Sequence, residues 1–406
     1  MQFHEEPSIG DRIARLRARR KLTQEGLAER AGVSVDVVRK LEQGVRQTAR
    51  LSTLNSLARA LDVEPSALVG QPVTFEARSE QDQPSVLALR QAVAPVSDLL
   101  SAGPDPDPEE PPDIAALQAC LRSTERIRRE GRIGEIGAVL PQLIRDAKNA
   151  AHASSGNESA AAYSVLAEAY QVAATTLTAL GKEDVAFTAL ERAMEAARRG
   201  NDPHLETVGI SSLAWVLTRQ GRLEDAEHVS VTTAERIEPG FRSQPVELAL
   251  WGVLLLRAAT AAVRLDRQET VQELLSLAGA AAARIGTDRL DYATPFGPTN
   301  AGVAKVNFLV EMGRSAEALS AARLVPDLAS LPPTWRARFH VDRALAHSDL
   351  NRDEDSLKAL IVAERTAPEW MRYHSTSRRL VTELRGRERR RTSPVTELAD
   401  RLRVDD

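Results

Sequence analysis

The sequence predicts an all-α protein, a compact head of five short helices followed by a solenoid of helical hairpins, and three observations carry that prediction. Aromatic residues make up only 4% of the 406 residues while Ala and Arg abound, a balance that favours helices over sheet. Residues 23 to 44, TQEGLAERAGVSVDVVRKLEQG, set two short amphipathic helices around a glycine-centred turn. From residue 114 onward, a turn-plus-helix pattern recurs with spacings of 50, 40, 45, 47 and 38 residues, as expected for paired helices stacked in series.

The head is read over residues 9 to 70. Ile9, Ile13 and Leu16 form the apolar stripe of its first helix. The second starts at the capping residue Thr23 and turns Leu27, Ala28 and Ala31 inward. Gly32 supplies the left-handed conformation of a tight helix-to-helix turn. Ser34 then caps a third helix whose Val38 and Leu41 face inward. That leaves Val35, Asp36, Val37, Arg39 and Lys40 outward, a short face of mixed polarity that fits a DNA major groove. Leu54, Leu57, Ala58 and Leu61 stripe the fourth helix, and Pro65 to Val69 opens a short fifth.

Charge separates the head from the segment C-terminal to it. Residues 1 to 70 carry 12 Lys or Arg against 9 Asp or Glu, whereas residues 71 to 113 carry 2 against 9, a contrast hidden in the overall charge of -4. The second segment is rich in Pro and acid and reads as a linker, with a connecting helix at about residues 85–100 despite Pro95. The helical repeats are placed at 114–385 and a basic tail at 386–406. The repeats start at EGRIGEIGAVL (130), LGKEDVAFTAL (180), QGRLEDAEHV (220), LDRQETVQEL (265), MGRSAEALSAA (312) and LNRDEDSLKAL (350). Each has a small or turn-forming residue, a basic residue, an acidic position and an apolar helix start.

Composition also excludes several classes. The lone Cys120 permits no intramolecular disulfide and no CxxC metal site. The N-terminus lacks the apolar stretch of a secretory signal. The apolar run LALWGVLLL, residues 248 to 256, is stopped by Arg257 and is too short to span a bilayer. A cytoplasmic protein without membrane attachment is expected. The seven histidines are scattered, and no phosphate-binding glycine loop or nucleophile elbow is present. Neither enzymatic activity, a cofactor nor a metal is expected.

LTQEGLAERAGVS, VRKLEQG and LNSLARALDVEPSAL are the segments through which the stretch from Arg12 to Leu68 resembles the Cro/C1-type (XRE) helix-turn-helix family. Gly26 departs from it, since an acidic residue is common there. The remainder resembles the tetratricopeptide class. Leu166, Ala167 and Tyr170, then Gly181, Ala186, Leu190 and Ala193, fall at its packing and turn positions, and Leu213, Ala214, Leu217, Gly221 and Ala226 repeat them. The combination is similar to peptide-responsive quorum-sensing regulators and to related regulators of high-GC Gram-positive bacteria. The resemblance implies a homodimer on an operator of double-stranded DNA, with a body that senses a peptide or small molecule.

It also implies roles for residues. Gln24, Ser34 and the loop residues Arg46, Gln47, Thr48 and Arg50 match phosphate-contacting positions, which set register. On the third helix, Arg39 or Lys40 can donate to guanine, Asp36 can accept from cytosine, and Val35 or Val37 can touch a thymine methyl. Asp36 has an equally simple role in favouring the helix N-terminus. Aligned on the repeat, Trp215, Arg219, Asn300, Asn307 and Arg338 fall on the concave face, where Asn can bond a peptide backbone and Arg a carboxylate. Two alternatives stay open: a solenoid that binds another protein, and a ligand-independent repressor whose repeats form only a dimer scaffold.

Overall fold

The structure, a computed structural model, describes residues 9–45, 51–61, 68, 84–96, 113–292, 294–387 and 393–404. Four helices make up the described part of the head: α1 (Ile9–Arg19), α2 (Gln24–Ala31), α3 (Val35–Glu42) and α4 (Leu51–Leu61). Local chemistry fixes the α2–α3 pair. Thr23 Oγ1 accepts from the Gly26 N–H at 3.0 Å and Ser34 Oγ from the Val37 N–H at 3.3 Å, so each N-terminus satisfies one of its unpaired donors. Gly32 sits at φ 64° between them. Ile13, Leu27, Val38, Leu41, Leu57 and Leu61 are fully buried against one another. Leu68 joins that core, while the rest of the expected fifth helix lies outside the described residues.

Helix α5 (Pro84–Val93) covers the first part of the connecting helix expected over 85–100 and ends before Pro95, which cannot continue the hydrogen-bond ladder; residues 97–100 lie outside the described residues. The helix also does more than connect. Leu89, Ala92 and Val93 are buried in the same apolar cluster as Leu117, Leu140 and Leu166 of the body.

Six helical hairpins follow: α6 (Ile114–Glu130) with α7 (Ile133–Ala153), α8 (Gly156–Ala179) with α9 (Glu183–Arg199), α10 (Leu205–Arg219) with α11 (Leu223–Arg236), α12 (Pro245–Arg264) with α13 (Gln268–Ile285), α14 (Pro298–Glu311) with α15 (Ser315–Ala322), and α16 (Pro333–Asp349) with α17 (Asp353–Thr366). Every hairpin turns on one left-handed residue: Gly131, Gly181, Gly221, Asp266, Gly313 and Asn351 all have φ between 56° and 85°. Glycine, Asn and Asp are the residues that tolerate this region, which explains the recurring turn residue. The basic residue after it also has a local partner. Arg132 reaches Glu135 at 2.6 Å, Arg222 reaches Asp225 at 2.7 Å and Arg314 reaches Glu317 at 2.8 Å, each clamping the first turn of the second helix.

A two-stranded antiparallel ribbon interrupts the series. Strands β1 (Arg289–Asp291) and β2 (Thr294–Phe296) pair with Arg289 opposite Phe296. Helix α12 is long and apolar enough to cross a membrane by length and composition, the one such helix among the described residues. Its Leu248, Leu254, Ala258 and Ala262 instead build the second core cluster with α13 and Phe296. The helix runs on through Arg257, the residue that ends the apolar run in the sequence.

At the C-terminus, α18 (Pro368–Tyr373), α19 (Ser375–Arg387) and α20 (Pro394–Leu402) cap the solenoid. The segment expected as a basic tail contains α20, whose Val395, Leu398, Ala399 and Leu402 are buried with Leu380 and Leu384 of α19. Two arginines of α19 are fasteners here: Arg378 donates to the Leu402 and Val404 carbonyls at 3.0 and 3.3 Å, and Arg387 to Asp353 at 2.8 Å.

Candidate DNA interface and ligand cavity

The head presents α3 on a rigid support. Arg17 of α1 grips Glu42 at the end of α3 with two bonds, 2.7 and 2.9 Å, and donates a third to the Leu22 carbonyl at 2.9 Å. Burial alone would raise the Glu42 carboxyl, but hydrogen bonds from Arg17 and Gln24, with the Arg17 charge, hold it below its ordinary value. The sequence-derived residues then separate by role. Gln24, expected at a phosphate, commits its amide to Glu42 at 2.7 Å, and Ser34 caps α3. Val35 and Val37 are half-buried against the head core. Asp36 pairs with Lys40 at 2.8 Å across one helical turn, and Arg39 is exposed with no ion pair among the described residues. Arg46, Gln47, Thr48 and Arg50 lie outside the described residues.

The body holds a second candidate site. The first helices of successive hairpins, α8, α10, α12, α14 and α16, surround a cavity of about 320 Å³. Trp215, Asn300, Asn307 and Arg338, four of the five residues placed on the concave face from the repeat pattern, all line it. Arg219 does not. It is exposed one turn beyond Trp215 and pairs with Glu183 of the preceding hairpin at 3.2 Å.

The solenoid curls until its ends meet around this space. Thr334 of α16 donates to the Arg129 carbonyl of α6 at 3.4 Å. A Cβ at Gly131 would lie 3.2 Å from both Thr334 and Trp370, so the first hairpin turn abuts α16 and α18. The ribbon covers another side. Thr294 and Pro295 line the cavity, and the Phe296 ring lies so close to α12 that a Cβ at Gly252 would come within 1.9 Å of it. Tyr292, in the ribbon turn at φ 49°, donates to both carboxylate oxygens of Asp202 at 2.8 and 2.9 Å. Burial, reinforced by Glu125 and Asp202, pushes the nearby Glu168 carboxyl up to about 7.

Charge on the cavity wall is mostly matched. Arg338 bonds Asp342 at 3.2 Å, and Arg264 lies 3.4 Å from Glu311. Burial raises the Asp342 carboxyl, with Arg338 pulling the other way. Its Oδ2 is buried without a partner of standard hydrogen-bond geometry, although Asn307 is close enough to lower its pKa. The sequence reading missed Arg257, Trp335 and Trp370, which also line the cavity. The available signal was Arg257 itself, a charge inside a helix otherwise made for burial.

The chain has relatives among known proteins. Residues 8–69 match the family described as Helix-turn-helix domain. The chain is 30% identical over 132 residues to the immunity repressor protein of Bacillus phage phi105, a match covering 30% of this chain and 91% of the repressor. The chain belongs to the helix-turn-helix transcription regulators, which are not enzymes. Two solved structures align over most of its length at 12% identity. Bacillus thuringiensis PlcR, in complex with the peptide PapR7 and DNA, covers 87% of this chain and 99% of its own at a TM-score of 0.39. The P58(IPK) TPR domain covers 88% and 98% at 0.27.

Proposed function

We propose that the protein is a cytoplasmic, homodimeric, sequence-specific transcription regulator whose helical body senses a peptide or small molecule. The observation that carries this reading is one chain joining a helix-turn-helix head to a cavity lined by the first helices of its repeats. Arg39 and the Asp36–Lys40 pair read base edges from α3, and Val35 and Val37 contribute apolar contacts while supporting the helix. Ser34, Gln24 and the loop Arg46, Gln47, Thr48 and Arg50 set register on phosphates. A single head offers a small interface, so operator affinity requires two heads on half-sites about 34–36 Å apart or a multiple of that. The small volume of the cavity favours a ligand held inside the body over a folded protein partner.

Fluorescence anisotropy with DNA from the protein's own promoter region, combined with sedimentation, tests the reading. The expected result is a 2:1 complex abolished by Arg39→Ala in combination with Lys40→Ala. A monomer on DNA, or binding indifferent to both substitutions and to sequence, would overturn it.

A further inference from the structure

The charges on the cavity wall do not balance, and the imbalance points to the kind of ligand the cavity takes. Of the arginines on the wall, Arg128 is matched by Glu125 at 3.1 Å, Arg264 by Glu311 at 3.4 Å and Arg338 by Asp342 at 3.2 Å. Arg257 is left over. No carboxylate among the described residues lies within ion-pair distance of it, and its one hydrogen bond, from Nε to Ser211 Oγ, is at the 3.5 Å limit. A guanidinium offers five N–H donors, so four have no acceptor among the described residues.

The surroundings make that arrangement unfavourable without a ligand. Arg257 projects from the most apolar helix of the body, and burial pulls its pKa down to about 10. Its guanidinium lies 5.2 Å from the centre of the Trp215 ring, and a cation–π contact only partly replaces lost hydration. Water and a passing inorganic anion would satisfy the charge, but the rest of the wall is built for something larger and less polar. Val253, Leu256, Val303, Phe308 and Trp335 supply apolar surface, and Asn300 and Asn307 supply amides. A volume near 320 Å³ is at the lower end for small-molecule sites, which suits a compact molecule better than a long peptide.

We propose that the cavity binds a compact organic carboxylate, its acid group held by the two-pronged fork of Arg257 and its apolar body laid against Trp215 and Trp335. The planar fork matches a carboxylate in two parallel hydrogen bonds, and the apolar wall strengthens them. The inference rests on the sensing role proposed for the body, and a paired-ligand titration separates the two. The full-length protein is titrated with benzoate, phenylacetate, indole-3-acetate and octanoate, and with the primary amide of each. Tryptophan fluorescence and thermal shift report binding, and DNA affinity is measured on the same preparation.

At least one acid is expected to bind with Kd below about 1 mM and at least tenfold more tightly than its amide. Arg257→Gln should erase that preference, Arg257→Lys should keep part of it, and Arg219→Gln, outside the cavity, should leave it unchanged. Equal binding of acid and amide, or an acid preference that survives Arg257→Gln, overturns the carboxylate assignment while leaving a ligand cavity in place. Failure of every compound to bind below about 1 mM overturns the carboxylate assignment, and the DNA affinity of the same preparation shows whether the regulator reading stands without it. The acid–amide contrast on the unaltered protein decides the matter even where Arg257→Gln does not fold.

Discussion

Phe296 reaches α12 only because residue 252 has no side chain: the added methyl of Gly252→Ala would occupy the ring's own position. The ring or the helix must then move, an overpacking that costs about 1–3 kcal/mol. We expect Gly252→Ala to lower the urea midpoint and to weaken ligand binding together, since the ribbon carrying Phe296 also lines the cavity. Arg257 works in the opposite direction. A half-buried charge with no carboxylate partner among the described residues is a stability cost kept for another purpose, so Arg257→Met should raise the melting temperature of the ligand-free protein; a lower one would mean that the residue is structural. Glu168 supplies the pH dependence. Its carboxyl titrates near 7 in the folded protein against 4.5 ordinarily, so between those values the folded state holds more protons than the unfolded one. Stability therefore falls as pH rises across that window, and the loss is complete above pH 7. At 1.36 kcal/mol per unit the effect is at most about 3 kcal/mol. Glu168→Gln should flatten the curve between pH 4.5 and 7 and leave the protein more stable than the parent at pH 8, as read by chemical denaturation at each pH.

The hairpin turns translate sequence into architecture most directly. Gly221 has no heavy atom within 4 Å of where a Cβ would sit, so Gly221→Ala carries only the backbone cost of a left-handed residue, about 1–2 kcal/mol. Gly131→Ala carries the same cost plus crowding against Thr334 and Trp370. The excess destabilisation of the second variant over the first, measured by denaturation, should therefore be positive, and it reads out the contact that closes the ring. Equal losses would mean that the ends are not tightly joined. These turns were legible in the sequence because one left-handed residue constrains the choice to Gly, Asn or Asp at every repeat. The α2–α3 pair was legible for the same reason, with caps and turn residues carrying the geometry locally. The ribbon was not. Three-residue strands around Tyr292 have no alternating pattern to announce them, and their placement depends on Gly252, far away in the chain. Helix α20 was likewise under-read, because the charge around it masked a short apolar stripe, whereas α5 was legible as a connecting helix and only its packing into the body core was not. The cavity was half legible. Repeat alignment put Trp215, Asn300, Asn307 and Arg338 on one face, but Arg219 lies one turn further along α10, where the helix end faces the neighbouring hairpin and Glu183 rather than the interior. Arg257 read as the end of an apolar run because a charge in a hydrophobic window looks like a boundary until the helix is seen to pass through it.

At the scale of the whole molecule, the cavity draws on residues from α6 to α18, so a ligand inside it touches elements from both ends of the solenoid at once. That geometry would give a ligand purchase on curvature: a body closing around it would tighten the contact between the first hairpin and α16, and a body releasing it would loosen that contact. Two heads attached to two such bodies would change their separation accordingly, and separation is what a paired operator measures. A ligand can shift this balance only by the difference in its affinity for the two shapes, and the coupling between two binding sites is reciprocal. The expected outcome is therefore quantitative. If a saturating carboxylate changes operator affinity by some factor, saturating operator DNA must change carboxylate affinity by the same factor, in the same direction. Couplings of this kind are typically about 5–150-fold, within reach of anisotropy for the DNA arm and tryptophan fluorescence for the ligand arm. Unaltered operator affinity with a ligand demonstrably bound would make the cavity a stabilising cofactor site and the body a fixed spacer. Equal factors in both arms would make it the input of a switch, and loss of both factors together in Gly131→Ala would locate the switch at the closure of the ring.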